Sequence, residues 1–175
     1  MAAGLDYMGK PHFDVYERFR DKYQRLNQRY GLEQYLVPYL MSSHPGCTLN
    51  DAVDLAVFLN RTGRQPEQVQ DFYPTPGTLS TCMWYTELDP RTMEPVYVAK
   101  SPHDKALQRA LLQWKRPEKR RLVVEALHRA GRTDLIGFGR DCLVRPLGET
   151  RAPAQRESRA RPAKGAKPPA RGAEK

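Results

Sequence analysis

His44, in the stretch SSHPGCT, is the side chain whose type and position most favour chemistry. An imidazole titrates near neutral pH and can exchange hydrogen bonds with a ligand. A turn histidine that bonds only nearby backbone explains the same residue equally well. Gly46, two residues later, indicates a close approach of the backbone, either to a ligand or to the next helix.

A second stretch, FYPTPGT from Phe72 to Thr78, ends in the same pattern of proline and glycine. Proline fixes φ and glycine opens conformations closed to other residues, so each turn has one defined shape. Ligands of parallel α/β folds bind at the carboxyl ends of strands, and we expect the two turns to be neighbours there. The first turn runs into a helix N-terminus, whose free amides suit an anionic group. Turns that merely end strands remain the alternative.

The cysteines Cys47, Cys82 and Cys142 are 35 and 60 residues apart. These separations match neither a disulfide framework nor a short metal-ligand motif. We therefore predict three buried free thiols and no metal site made of them.

The order of elements that must position the turns is helix, strand, helix, strand. Apolar residues recur every three or four positions from Phe13 and predict an amphipathic helix that ends at Gly31. The run Gln34 to Ser43 predicts a strand, although Pro38 inside it lacks a backbone donor. Thr48 and Asp51 predict the capped start of a second helix, and EQVQDFY predicts a second short strand. The order favours βαβ units on a parallel sheet.

The chain changes character after Thr78. Residues 84–100 predict an extended, loop-rich crossing, and two helices are expected to begin at Ser101 and after Pro117. The aromatic pair Trp84 and Tyr85 indicates either packing or stacking on a base. The basic run WKRPEKRR, residues 114–121, indicates either a phosphate site or the solvated face of a helix.

The net charge of +9 is concentrated in the tail. Residues 148–175 contain eight Lys or Arg and three Asp or Glu, a net +5, which leaves +4 for the first 147 residues. The tail has no aromatic residue and is expected to be disordered. It either contacts RNA or another polyanion weakly or serves as a solubilising extension. No apolar run reaches the roughly 20 residues of a membrane span, so we expect no membrane contact and a cytoplasmic protein.

Four stretches together resemble one known family: QYLVPYLMSSHPGCT, PEQVQDFYPTPGTLSTCMWYT, DPRTMEPVYV and GRTDLIGFG. They are similar to the C-terminal half of the YgiQ-type radical S-adenosylmethionine (SAM) proteins. The strand and turn pattern also resembles the late barrel strands of the tRNA methylthiotransferases. The resemblance covers about residues 8 to 144.

The resemblance implies an α/β fold, a partial (β/α) radical-SAM-type barrel with a C-terminal helical extension and a disordered tail. The corresponding domains are residues 1–90, 91–147 and 148–175. Such enzymes bind a [4Fe-4S] cluster and SAM, and their substrate here is unknown. On this interpretation the SAM or substrate contacts are His44, Gly46, Gln70 and Phe72, with Gln70 and Phe72 facing the barrel interior. No catalytic residue is assigned.

One departure limits the resemblance. The family holds its cluster through three cysteines in a C-x3-C-x2-C loop, and the cysteines of this chain do not match that motif. The sequence therefore predicts a fragment that lacks the cluster ligands and works with an N-terminal radical SAM half, in the same polypeptide or a separate chain. The alternatives are a non-enzymatic RNA-binding or adaptor module and a remnant without function.

Overall fold

The computed structural model describes residues 2–146, which are largely helical. Six α-helices and two short strands follow one another along these residues. They are α1 (Ala2–Tyr7), α2 (Phe13–Tyr30), β1 (Met41–Ser42), α3 (Leu49–Arg61), β2 (Gln70–Asp71), α4 (Leu79–Thr86), α5 (Pro102–Leu112) and α6 (Arg120–Arg129), with short 3-10 turns at Pro117–Lys119 and Thr133–Leu135.

The predicted βαβ unit is present. β1 and β2 pair in parallel, with Met41 opposite Gln70 and Ser42 opposite Asp71, and α3 forms the crossover. α3 begins with the expected capping box, in which the Thr48 hydroxyl accepts from the Asp51 amide and the Asp51 carboxylate accepts from the Thr48 amide. The α/β character is thus confirmed for this part of the chain.

The strands are shorter than predicted. Only Met41 and Ser42 of the run from Gln34 to Ser43 form a strand, because β2 supplies hydrogen bonds only from Gln70 onward. Residues 34–39 lead into β1 without a ladder hydrogen bond among the residues described, and Leu40 contributes only its carbonyl, which accepts from the Gln70 amide. Residues 2–146 hold one βαβ unit and not a closed barrel, so the barrel stays a proposal.

The hydrophobic core lies between α3, α5 and α6. Ala56 and Leu59 of α3 pack against the same cluster as residues of the later helices. The predicted domain boundary between residues 90 and 91 separates α3 from α5 and α6. This boundary stays a prediction. The remaining fully buried members of the cluster are Val53, Leu107, Ala110, Leu111, Leu112, Val123, Ala126 and Leu127.

Helix α2 has the bounds that its periodicity predicts, and Gly31 ends it in the left-handed conformation at φ 61°. None of its residues is buried. Phe13 packs edge-on against Phe58 of α3 at 4.9 Å between ring centroids, and Tyr16 accepts a hydrogen bond from Arg64. In the rest of its apolar stripe, Phe19, Leu26 and Tyr30 are exposed and Tyr23 is half-buried.

The segment after Thr78 differs from its prediction. Trp84 belongs to α4, whose first turn is capped by the Thr78 hydroxyl accepting from the Thr81 amide. The loop-rich character begins only after this helix, at Glu87. The helices expected after Ser101 and Pro117 are confirmed.

The predicted disordered tail, residues 148–175, lies outside the described part of the chain. Among the helices within residues 2–146, none combines the length and apolar character that crossing a membrane requires.

Candidate functional site

The two proline–glycine turns meet at the carboxyl ends of the parallel strands. We call residues 43–47 the first turn and residues 72–78 the second turn. The His44 ring lies edge-on to Phe72 with 5.2 Å between ring centroids, and His44 Nε2 is 2.9 Å from the hydroxyl of Ser80, just after the second turn. The strand order therefore brings the two turns side by side, as the sequence predicts.

His44 is buried and both ring nitrogens are occupied. Nδ1 lies 2.7 Å from the Pro45 carbonyl, which only accepts, so Nδ1 carries the proton and Nε2 accepts from the Ser80 hydroxyl. Burial lowers the pKa of His44, and the hydrogen bond with Pro45 only partly offsets that effect. His44 is therefore a neutral group that joins the two turns, and a ligand would have to replace Ser80 to reach it.

Acid is expected to destabilise the fold through His44. The pKa of His44 is lowered from 6.5 in the folded chain. As the pH falls below 6.5, His44 therefore binds a proton in the unfolded chain before it does so in the folded chain. The stabilisation is complete above pH 6.5 and is lost as the pH falls toward the folded pKa. Urea unfolding at about pH 7.5 and about pH 5.5 should show a smaller loss of unfolding free energy for His44→Gln than for the native chain.

His128→Gln is the matched control, because His128 is exposed on α6. His44→Gln should change the pH dependence of the unfolding free energy more than His128→Gln does. An unchanged pH dependence in His44→Gln would contradict the assignment of the buried neutral imidazole.

The close approach predicted at Gly46 is made by another part of the chain. Gly46 has φ 82°, and a Cβ built on it would lie 2.0 Å from Cδ2 of the Tyr7 ring. Its amide donates to the Tyr97 carbonyl at 2.8 Å. Tyr7 of α1 therefore occupies the space beside Gly46, where the sequence predicts either a ligand or the next helix.

The side chain of Gln108 on α5 makes two hydrogen bonds to the backbone of the first turn. Its Oε1 accepts from the Ser43 amide at 3.0 Å, and its Nε2 donates to the Cys47 carbonyl at 3.0 Å. Ser43 has φ 61°, a left-handed conformation that is strained for a residue with a Cβ, and its hydroxyl is buried without a partner among the residues described. The backbone of the turn is therefore fixed at both ends by one buried amide side chain.

Gln70 and Phe72, the two candidate residues at the second strand, differ in burial. Phe72 is buried beneath His44, whereas Gln70 is exposed and accepts a hydrogen bond from the Tyr39 hydroxyl. Since residues 2–146 form no closed barrel, the predicted orientation of this pair toward a barrel interior stays a prediction.

Asp71, which was not among the predicted site residues, lies at the centre of a polar cluster. Its carboxylate accepts from the Ser42 hydroxyl at 2.5 Å and from Nε of Arg109 at 3.0 Å, and a second Arg109 nitrogen completes a bidentate pair. This pair ties α5 to the carboxyl end of β2. The local sequence pattern indicates this ion pair only weakly, because Arg109 is 38 positions from Asp71.

All three cysteines lie in the described part of the chain, and each is a free thiol there. The prediction of burial is wrong for Cys82, which is exposed, and holds only in part for Cys47 and Cys142, which are half-buried. Burial, and next the nearby Asp51 carboxylate, raise the pKa of Cys47 to about 11. Metal ligation requires the thiolate, and no group of three or more potential ligands occurs within residues 2–146. The described residues therefore do not fit a [4Fe-4S] cluster.

The aromatic and basic candidates are mostly engaged within the chain. Trp84 is half-buried with Lys100 and Lys105 near its ring, whereas Tyr85 is 68% exposed. In the run 114–121, Arg116 donates to the Glu67 carbonyl and Arg120 to the Arg145 carbonyl. Two of its guanidinium groups thus stabilise loops, which leaves fewer donors for a phosphate.

Comparison with known proteins identifies longer relatives. A "UPF0313 protein" of Clostridium perfringens (strain SM101 / Type A) is 59% identical over 141 residues, covering 81% of this chain and 21% of the relative. UPF0313 proteins of Methanocella arvoryzae and Methanosarcina acetivorans are 51% and 54% identical, and the chain spans 24% and 19% of their lengths. The chain therefore spans about a fifth of the length of the curated relatives it matches. No solved structure matches it.

The UPF0313 relatives belong to the YgiQ-type family that the sequence resembles, and their greater length is consistent with this chain being part of a larger protein. The model of one further family matches residues 67–175, which is more than half of the chain. The chain thus belongs to the family described as domain of unknown function DUF3362.

Proposed function

We propose that this chain is the C-terminal portion of a YgiQ-type radical SAM iron–sulfur enzyme and contributes part of the SAM and substrate mouth. The observation that carries the proposal is the meeting of the two turns at the carboxyl ends of a parallel βαβ unit. Mouths of α/β barrels are built from loops in that position. The length of the UPF0313 relatives leaves ample room for the remaining barrel.

Within this proposal the first turn acts as a preformed wall of the mouth. The polar groups of His44 are satisfied by Pro45 and Ser80, and Gly46 is covered by Tyr7. These residues therefore shape and rigidify the mouth through internal bonds, while Gln70 and Tyr73 keep exposed side chains at the second strand and turn. A rigid wall of this kind supports precise placement of a ligand by other residues.

The cluster belongs to a different part of the enzyme on this proposal. A four-iron cluster needs thiolates that converge, and no group of three such ligands occurs within residues 2–146. Burial also disfavours the thiolate form of Cys47, because it raises the pKa of that thiol to about 11. The reducing chemistry at the cluster is therefore assigned to the polypeptide outside this chain, and no step of it runs through the residues described.

A chimera tests the proposal. In the Clostridium perfringens relative, this chain would replace the stretch that it matches, and the purified chimera would be reconstituted anaerobically with iron and sulfide. We expect the chimera to retain four irons and to cleave SAM to 5′-deoxyadenosine when reduced. The isolated 175-residue chain, treated identically, should retain no stable cluster.

Two outcomes contradict the proposal. Stable four-iron binding by the isolated chain would show that the cluster ligands lie within it. A chimera that is folded but cleaves no SAM, while the unmodified Clostridium perfringens relative does, would show that this chain does not serve the radical SAM mouth.

A further inference from the structure

The C-terminal end of α4 carries aromatic rings and amino groups side by side. Trp84 and Tyr85 lie edge to face, with 4.8 Å between ring centroids and 85° between ring planes. The ammonium groups of Lys100 and Lys105 lie 5.9 and 5.8 Å from the centroid of the Trp84 ring. We call these four residues the α4 platform. It combines flat apolar rings with positive charge on one small surface.

The two rings of the platform differ in accessibility. Trp84 is half-buried and contacts Tyr85 and both lysines, so it supports the other three side chains. Tyr85 is 68% exposed, and its hydroxyl makes no hydrogen bond within residues 2–146. An aromatic ring with an open face can stack on a second planar group. Tyr85 is therefore the ring of the platform that a ligand can reach.

The positive charge of the platform is only partly neutralised within the chain. Lys100 forms an ion pair with Glu87. Lys105 forms no ion pair with another side chain in the described part of the chain. The residue before it, Asp104, pairs with Arg129 of α6 instead. One ammonium group is therefore available to an anionic ligand beside the rings.

The platform continues from the second turn. The Thr75 carbonyl of that turn accepts a hydrogen bond from the Thr81 hydroxyl of α4 at 2.6 Å. Tyr85 follows Thr81 by four positions, so the two residues lie on the same face of α4. Tyr73, near the start of the turn, is 82% exposed. The turn and the helix thus each present one exposed tyrosine ring.

We propose that the α4 platform binds single-stranded nucleic acid, with a base stacked on Tyr85 and a neighbouring phosphate beside Lys105. Sites of this kind combine aromatic rings, which stack on any base, with positive charges that follow the phosphate backbone. Stacking requires bases that are free of a double helix. The inference goes beyond the proposed function and does not depend on it, because it rests on residues of this chain alone.

The pairing of ring and charge distinguishes this ligand from other polyanions. A polyanion without bases, such as polyphosphate or an acidic peptide, would contact the ammonium groups and leave the Tyr85 ring unstacked. The net charge of +9 attracts every polyanion to some extent. The contribution of the ring to binding is therefore the property that tests the proposal.

Binding of a fluorescein-labelled, single-stranded oligouridylate RNA of about 12 nucleotides tests the proposal on the complete 175-residue chain. Fluorescence anisotropy gives the Kd. Tyr85→Ala should weaken binding by about 5-fold or more, because the stacked base loses its partner. Tyr85→Phe keeps the ring, so its Kd should equal the native value. Tyr35→Ala is the matched control, because it removes an exposed ring before β1, and it should leave the Kd unchanged.

Two further readouts separate stacking from charge. Trp114 is the second of the two tryptophans and is 3% exposed, so quenching of tryptophan fluorescence by unlabelled RNA reports on Trp84. Lys105→Gln should lower the slope of log Kd against log salt concentration by roughly 0.7, the value of one phosphate contact on a single strand. An RNA duplex of the same length should bind the native chain and Tyr85→Ala equally.

Each outcome decides the matter. Equal Kd values for the native chain and Tyr85→Ala, with both chains folded by circular dichroism, would overturn the proposal. Binding that changes only in Lys105→Gln would make the surface a general polyanion contact and would also overturn it. Binding by the isolated chain that the chimera described above lacks would show that the platform is covered in the longer protein, with the same consequence. A chimera that binds the RNA and cleaves no SAM would leave this inference standing and remove the proposed function.

Discussion

Gln108→Leu is expected to lower the free energy of unfolding by about 2 to 5 kcal/mol, because it leaves one buried and one half-buried backbone group of the first turn unpaired. Gln108 is 2% exposed and provides both the acceptor for the Ser43 amide and the donor for the Cys47 carbonyl. Leucine has a similar size, so the loss comes mainly from the missing hydrogen bonds and less from a cavity. Urea unfolding followed by circular dichroism measures the change.

Gln28→Leu is the matched control, because Gln28 is exposed on α2 and the same chemical change there should alter the unfolding free energy by less than about 0.5 kcal/mol. The first turn should also exchange its amide hydrogens faster in Gln108→Leu than in the native chain. Equal stability of the two variants would show that Gln108 does not support the turn.

The parts of the fold that sequence predicts well depend on neighbours along the chain. The bounds of α2 follow from helical periodicity and from Gly31, and the start of α3 follows from Thr48 and Asp51. The length of β1 was overpredicted because a ladder requires a partner strand, which local pattern does not show. The start of α4 was missed because LSTCMWYT contains threonine and aromatic residues of modest helix propensity and has no clear apolar period.

The candidate site shows the same contrast between features set by neighbours along the chain and features that need distant partners. Sequence identified the two turns and their adjacency, since both follow from strand order. The partners that fix the turns come from far along the chain: Gln108 is 65 positions from Ser43, and Ser80 is 36 positions from His44. A usable signal existed for Gln108, because it lies next to Leu107 and three positions before Leu111 on a mostly apolar helix face. A polar residue there indicates a buried hydrogen bond.

Gly46→Ala is expected to destabilise the chain by about 2 to 4 kcal/mol, through two separate effects. At φ 82° an alanine adopts a left-handed conformation that is unfavourable for a residue with a Cβ. Its Cβ would also lie 2.0 Å from the Tyr7 ring, so the ring and α1 must move away from the first turn. Chemical unfolding gives the size of the loss, and fluorine NMR of a chain in which fluorinated tyrosine replaces Tyr7 alone reports the displaced ring.

Gly77→Ala separates the two effects, because Gly77 has nearly the same φ, 79°, in the second turn and nothing within 4 Å of its Cβ position. It should lose only the backbone contribution, about 1 to 2 kcal/mol. Combining Gly46→Ala with Tyr7→Ala removes the collision, so the effect of Gly46→Ala in the Tyr7→Ala background should fall to that of Gly77→Ala. If Gly46→Ala and Gly77→Ala cost the same in the native background, the contact between Tyr7 and the first turn is absent in solution, and the first turn is open to a ligand on that side.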